Sequence, residues 1–162
     1  RDVCASPPEP YHVLRVYDGD TILVSGAGKR NVIRLLGIDA PETSKGKGEP
    51  GQPYSRAAQR HLADLILNRT VTLAVYGEDR YHRVLAVVYY ESRDINLAMI
   101  QAGLAEVYRG RTPDGFAKAP YFASEADTVL GEERVRRLKA YQQEVDAKGI
   151  MNPGKVLPAE DP

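Results

Sequence analysis

Apolar residues recur along this chain in short runs that stop at glycine, aspartate or proline, the pattern of a β-rich domain with a few inserted helices. YHVLRVY, TILVSGA and NVIRLLGI are dense in Val, Ile, Leu and Tyr and are separated by Asp18-Gly19-Asp20 and by Gly26-Ala27-Gly28. They predict three consecutive antiparallel strands, a meander. Residues 43–53, TSKGKGEPGQP, carry glycine, proline and lysine without an apolar anchor and predict a mobile surface loop. The period then lengthens. Residues 54–68, YSRAAQRHLADLILN, set Ala58, Leu62, Leu65 and Ile66 at helical spacing, and Asn68 before a β-branched run marks the helix end. TVTLAVY, with Val71, Leu73 and Val75 alternating, and RVLAVVYY flank the turn GEDRYH and predict a hairpin. DINLAMIQAG predicts a short helix with Asp94 near its start and Gly103 as its left-handed stop, and LAEVYR adds a short extended piece. From Pro120 to Lys148, Phe122, Ala126, Val129, Leu130, Val135, Leu138 and Val145 recur at near-helical spacing around Gly131, which predicts one kinked helix or two.

Five strands with an inserted helix match an α+β, OB-type barrel better than a sandwich, which needs about seven. The domain spans residues 11–150, with a proline-rich N-terminal arm over 1–10 and a C-terminal coil over 151–162. With 162 residues, 43% hydrophobic and 27% charged, the chain suits one folded domain with a single core. Twenty-two basic residues meet 22 acidic ones, so no global field gathers nucleic acid or anionic membrane, and a polyanion has to be held locally. A single cysteine, Cys4, excludes an internal disulfide and the multi-cysteine zinc classes. No apolar run approaches the roughly 20 residues of a membrane-spanning helix, so no membrane partner is expected. Nothing resembles a coiled-coil seam, which leaves a monomer as the default.

Asp18-Gly19-Asp20-Thr21 falls between two strands and on its own reads as a turn. A second carboxylate pair, Asp39 and Glu42, stands at the end of the third run. Carboxylates from separate strand ends can converge: Asp20, Asp39 and the backbone carbonyl of Ala40 would form an oxygen half-shell for a hard cation such as Ca2+, with room for water and substrate. Arg34 precedes Asp39 by five residues, an odd separation that puts the two on opposite faces of a regular strand. A bulge or the strand's end must re-aim one of them if both serve one site. Arg83 begins the RVLAVVYY strand. Each arginine alone reads as a solvated face or a structural ion pair rather than as a site residue. Together, a cation, two guanidinium forks and a carboxylate able to take a proton from water make a kit for phosphodiester hydrolysis.

Four blocks, VYDGDTILV, IRLLGIDAPET, DRYHRVLAVVY and NLAMIQAGLAEVY, closely resemble in order and spacing the signature blocks of the staphylococcal nuclease-like, or thermonuclease, family, from about Tyr11 to Arg109. The resemblance implies a five-stranded OB-type barrel with three helices. It also implies an enzyme, a Ca2+-dependent, sugar-nonspecific nuclease that acts on DNA and RNA and leaves 3′-phosphates. Family ligand positions fall on Asp20, Asp39 and the Ala40 carbonyl, the general base on Glu42, and the phosphate-binding arginines on Arg34 and Arg83. Tyr81 matches a tyrosine of the nucleotide pocket, and Arg109 lies close to another pocket position. Tyr108 is a second stacking candidate beside Tyr81. The resemblance implies a secreted or periplasmic location, which a chain starting at Arg1 permits.

Some positions depart from the family pattern. Ala40 stands where threonine is familiar, which leaves a backbone ligand intact. His82 replaces a glycine, and histidine enters positive φ more easily than most residues. Lys29, Arg30, Lys45 and Lys47 are candidates for a local basic patch around the site. The segment around Asn152-Pro153-Gly154-Lys155 resembles the end of FAD-linked oxidases, but no dinucleotide-binding fingerprint precedes it, and it reads as coil after Gly149. Two rival readings remain: a silent nuclease-like module that binds nucleic acid or a protein, and a Ca2+-stabilised structural or adhesion domain. The first usually lacks the carboxylates and arginines present here, and the second leaves the arginines without a purpose.

Overall fold

The three leading apolar runs form the predicted meander. In the computed structural model, which describes residues 8–44, 46, 48, 50–128 and 136, β1 (Pro10–Asp18) pairs antiparallel with β2 (Thr21–Gly26), and β2 with β3 (Lys29–Leu35). Two register shifts interrupt β1, between Val13 and Arg15 and between Val16 and Asp18. Each such bulge bends the strand and re-aims its side chains. Val13 and Val16 therefore both face the core although they are three residues apart.

β3 stops at Leu35, and Gly37, with φ of 82°, turns the chain into a separate two-residue strand, β4 (Ile38–Asp39). A side chain at Gly37 would collide with the ring of Phe116 as well as strain the backbone. The long loop then delivers α1 (Ser55–Ile66), which buries Ala58, Leu62 and Ile66 against the barrel, and Asn68 turns it off at φ of 59°. β5 (Thr70–Glu78) and β6 (Val84–Tyr90) form the predicted hairpin. β5 also pairs with β1 through Pro10–His12, and β6 returns parallel to β3 from Ile33–Val84 to Leu35–Ala86. This last pairing closes β1, β2, β3, β5 and β6 into a five-stranded, OB-type α+β barrel, and closure removes the sheet edges that would otherwise stay unpaired.

β7 (Arg93–Asp94) leads into α2 (Ile95–Gln101), whose N-cap is Asp94, with its carboxylate accepting from Leu97 N–H at 2.8 Å. Gly103 leaves the helix at φ of 68°. The extended piece in LAEVYR is β8 (Glu106–Val107), paired with β4. The third helix is α3 (Ala119–Asp127), with Pro120 in its first turn. Tyr121 plugs α3 into the core, and its hydroxyl donates to Asp94 at 2.8 Å, so one carboxylate ties α2 to α3. Burial, and after it the Asp94 charge, push that phenol above its ordinary range.

Two expectations about the core are corrected. Val75 does not continue the buried alternation of β5 but is 57% exposed, because a register shift between Val75 and Gly77 lifts this end of the strand off the core. Phe122 is 40% exposed, and the neighbouring Tyr121 takes the inward position on α3. The predicted continuation of the C-terminal helix to Lys148, the N-terminal arm up to residue 7 and the terminal coil lie outside the described residues.

Asn96 is fully buried at the junction of β6, α2 and the turn after β3. Its amide donates to Leu36 O at 2.9 Å and Ala86 O at 3.1 Å, and its oxygen accepts from Val88 N–H at 3.1 Å. Asn96→Ala leaves three backbone groups without this partner inside the protein and is expected to lower stability by about 3–5 kcal/mol. Urea denaturation checks this.

Candidate active site

Three chain turns meet at one end of the barrel. The β1–β2 turn brings Asp18 and Asp20, the end of β3 brings Arg34, and β4 brings Asp39 followed by Ala40. Gly19 makes the approach close enough: a Cβ there would stand 2.7 Å from the Cβ atoms of both Ala40 and Ala58. The turn therefore rests directly on β4's end and on α1.

Arg34 is the hub. Its Nη1 donates to Leu35 O and Ile38 O, both at 3.0 Å, and its Nη2 lies 3.1 Å from Asp20 Oδ2 and 3.2 Å from Asp39 Oδ1. The odd five-residue separation from Asp39 is resolved by the strand ending at Leu35 and the turn at Gly37. Asp20 is buried, its Oδ2 accepting from Ala40 N–H at 2.7 Å and its Oδ1 from the Thr21 hydroxyl at 3.1 Å. Arg34 thus joins Asp20 to Asp39, and Asp20 joins Arg34 to Ala40.

Sequence reasoning treated Asp18 only as part of the turn. Its Oδ1 accepts from Asp20 N–H at 3.0 Å. Burial, and next the negative charge of Asp20, push its carboxyl up to about 7, with Arg34 pulling weakly the other way. The signal was available in the i, i+2 spacing of Asp18 and Asp20 across a tight turn. Gln52 was missed with no comparable signal: its side-chain oxygen accepts from Glu42 N–H at 2.8 Å and its own N–H donates to Glu42 O at 2.9 Å. Glu42, two residues beyond Ala40, is thereby pinned at its backbone on both sides.

Arg83 stands two positions before Leu85, the register partner of Arg34 in the parallel β3–β6 pair, so the two arginines start from neighbouring strands. Arg83 Nε donates to Asp79 Oδ2 at 2.7 Å, and Arg83 N–H to Asp79 Oδ1 at 3.1 Å. Burial alone would raise the Asp79 carboxyl, but the bonds from the Arg83 backbone and guanidinium and from Tyr81 N–H hold it below its usual range. Tyr81 is 62% exposed, with Arg80 and Arg83 stacked 4.8 Å and 5.4 Å from its ring centre. His82 turns this loop at φ of 61° with its ring in solvent.

The remaining residues lie on the α3 side. Arg109 pairs with Glu125 at 2.6 Å and stacks on Phe122, while the Tyr108 ring lies under Lys118. Tyr108 N–H donates to Gly37 O at 2.9 Å, in the turn that leads into β4. Lys29 and Arg30 occupy the far tip of the β2–β3 hairpin, four to five residues from Arg34, about 13–17 Å at strand rise, so they form no patch around the site. Lys45 and Lys47 lie outside the described residues.

The donor set fits a hard cation. Asp20 and Asp39 both approach one arginine, Asp18 stands beside Asp20 in the same turn, and every side-chain ligand among them is oxygen. Among the described residues no three His, Cys, Asp or Glu side chains form a metal-holding group, so a bound ion would need backbone oxygen and water to complete its shell.

A closed barrel with a carboxylate–arginine cluster at its end defines an OB-type α+β domain. The model of the staphylococcal nuclease homologue family matches residues 32–129, and the chain belongs to that family. An uncharacterised endonuclease of Haemophilus influenzae is 37% identical over 112 residues, 68% of this chain and 59% of that protein. The thermonuclease of Staphylococcus intermedius is 39% identical over 99 residues, 60% and 58% of the two chains. A probable endonuclease of Phaeosphaeria nodorum is 38% identical over 111 residues, 66% of this chain but 36% of its own. The chain thus spans about three fifths of the two bacterial relatives' lengths and about a third of the fungal one's.

The raised Asp18 has a consequence for stability. Between its unfolded value of 3.8 and about 7, the folded protein binds more protons than the unfolded chain, so stability falls as pH rises through that window. Asp18→Asn is expected to flatten this slope and to raise stability at pH 8, without divalent cations, by on the order of 2–4 kcal/mol. Urea titrations at pH 5 and pH 8 measure both.

Proposed function

We propose that this chain is a Ca2+-dependent nuclease that hydrolyses DNA and RNA phosphodiesters and leaves 3′-phosphate ends. The observation that carries the reading is the Asp20–Arg34–Asp39 cluster on a barrel of the staphylococcal nuclease family. The relatives' names, endonuclease and thermonuclease, support it. Asp20, Asp39 and the Ala40 carbonyl would hold the ion, which supplies charge neutralisation and polarises a phosphate oxygen.

The chain's own residues supply the rest. Glu42, on a backbone pinned by Gln52, takes a proton from the attacking water and orients it for in-line displacement. Arg34 already reaches two carboxylates with Nη2; in the substrate complex its fork turns to the equatorial phosphate oxygens as they gain charge. Arg83, aimed by Asp79, grips the same phosphate from the neighbouring strand. Arginine keeps its proton because its pKa lies above about 12, so both act by binding charge and solvent protonates the departing 5′-oxygen. Tyr81 offers an exposed ring on which a base stacks.

Single-stranded DNA incubated at low salt with Ca2+ is expected to be cut to 3′-phosphate ends, with cutting abolished by a chelator and by Glu42→Gln. Intact DNA in the presence of folded, Ca2+-bound protein would overturn the reading in favour of a binding module. Arg34→Lys keeps the charge but loses the fork, and is expected to lower kcat by on the order of 10²-fold. Steady-state kinetics on the same substrate test it.

A further inference from the structure

With equal numbers of acidic and basic residues, the chain has no overall field to retain a long polyanion, so the unpaired positive charges matter by their position. Three of them rim one groove. Between β1 and α1 lies a cavity of about 460 Å3, floored by Leu14 and Leu67 among others and bordered by Arg15, Arg56 and Arg60. All three arginines are exposed, and among the described residues none has a carboxylate partner. The groove is built rather than incidental. Gln59 donates to Val16 O at 3.1 Å and Tyr17 O at 2.9 Å, which pins α1 to β1, and the bulge between Val13 and Arg15 bends the strand at this point.

Arg56 sits in the first turn of α1, where the helix's partial positive charge disfavours a cation, and no acidic residue in that turn offsets it. Arg60 follows one turn later on the same face. Arg15 answers from the strand, its guanidinium 5.1 Å over the Tyr17 ring. This arrangement works against stability and concentrates positive potential over an apolar floor. It also adjoins the active centre: Arg15 precedes Asp18 by three residues, and Ala58, between Arg56 and Arg60, packs on Gly19.

We propose that this groove holds backbone phosphates of a nucleic-acid strand that runs beyond the active centre, an anchoring subsite separate from the catalytic cluster. The inference rests on the nuclease reading for its choice of polyanion. Three guanidiniums suit phosphate oxygens, and the apolar floor suits the sugar and base faces of a single strand.

The test is binding of a fluorescent 20-nucleotide single-stranded DNA, measured by anisotropy across salt concentrations with a chelator present so that nothing is cut. Replacing Arg15, Arg56 and Arg60 by Gln is expected to reduce the slope of log K against log salt by about 2, and to weaken binding by about 10- to 100-fold near 0.1 M salt. The charge-matched set Lys29, Arg30 and Arg93 to Gln, away from the groove, is expected to keep the wild-type slope. Thermal melting checks folding; if the triple variant unfolds, Arg60→Gln alone should reduce the slope by about 0.7. Equal slopes for groove variant and wild type would overturn the proposal. So would binding to phosphatidylserine vesicles that the groove variant loses while its DNA slope stays unchanged, which would make the groove a lipid-facing surface. A wild type that shows this groove-dependent slope yet cuts nothing when Ca2+ is supplied overturns the nuclease reading and supports the groove.

Discussion

One guanidinium holds the working end of this barrel together. From the end of β3, Arg34 reaches two backbone carbonyls and a carboxylate of the β3–β4 connection and the carboxylate of Asp20 in the β1–β2 turn. Taking Asp20 out of water is costly unless its charge is matched, and the match comes from Arg34 together with Ala40 N–H and the Thr21 hydroxyl. Such a cluster is stable only when complete, because removing one member leaves the others buried and unpaired. The geometry of the loops around the site is therefore set by electrostatics as much as by packing.

That arrangement also carries excess negative charge, and the barrel must offset it elsewhere. Asp18 is held beside Asp20 in a buried turn that disfavours its ionised form, a local destabilisation of the kind found where a site is poised for a ligand. The compensation is a closed core of Val, Ile and Leu side chains and a buried amide, Asn96, that satisfies three backbone groups on two other segments at once. Asp94 performs a similar double duty at the other pole, capping α2 and receiving the Tyr121 hydroxyl. Local charge is thus organised in a molecule whose total is zero. Acid gathers at the β1–β2 turn, while unpaired arginines gather one helix turn away between β1 and α1.

Much of this was legible in the order of residues. The meander, the hairpin, α1 with its end at Asn68, and α2 between Asp94 and Gly103 follow from local rules of period, capping and backbone freedom that act within a few residues. The conflict between Arg34 and Asp39 was legible too, since a separation of five cannot serve one face of a continuous strand. Its resolution was not, because whether a strand bulges or stops depends on what it meets; here Gly37 turns beneath Phe116, nearly eighty residues away.

By itself the sequence determined element types, the carboxylate and arginine inventory and the family blocks, all carried by near neighbours in the chain. Only the tertiary structure decided which of these residues meet. The parallel β3–β6 closure brings Arg83 beside the strand of Arg34, Gln52 fastens Glu42 across a loop, and Val75 and Phe122 are turned outward by a bulge and by the competing claim of Tyr121. The physical reason is that hydrophobic period specifies a face but not the partner that covers it. Electrostatic strain such as that on Asp18 arises only when burial and a neighbouring charge coincide in space.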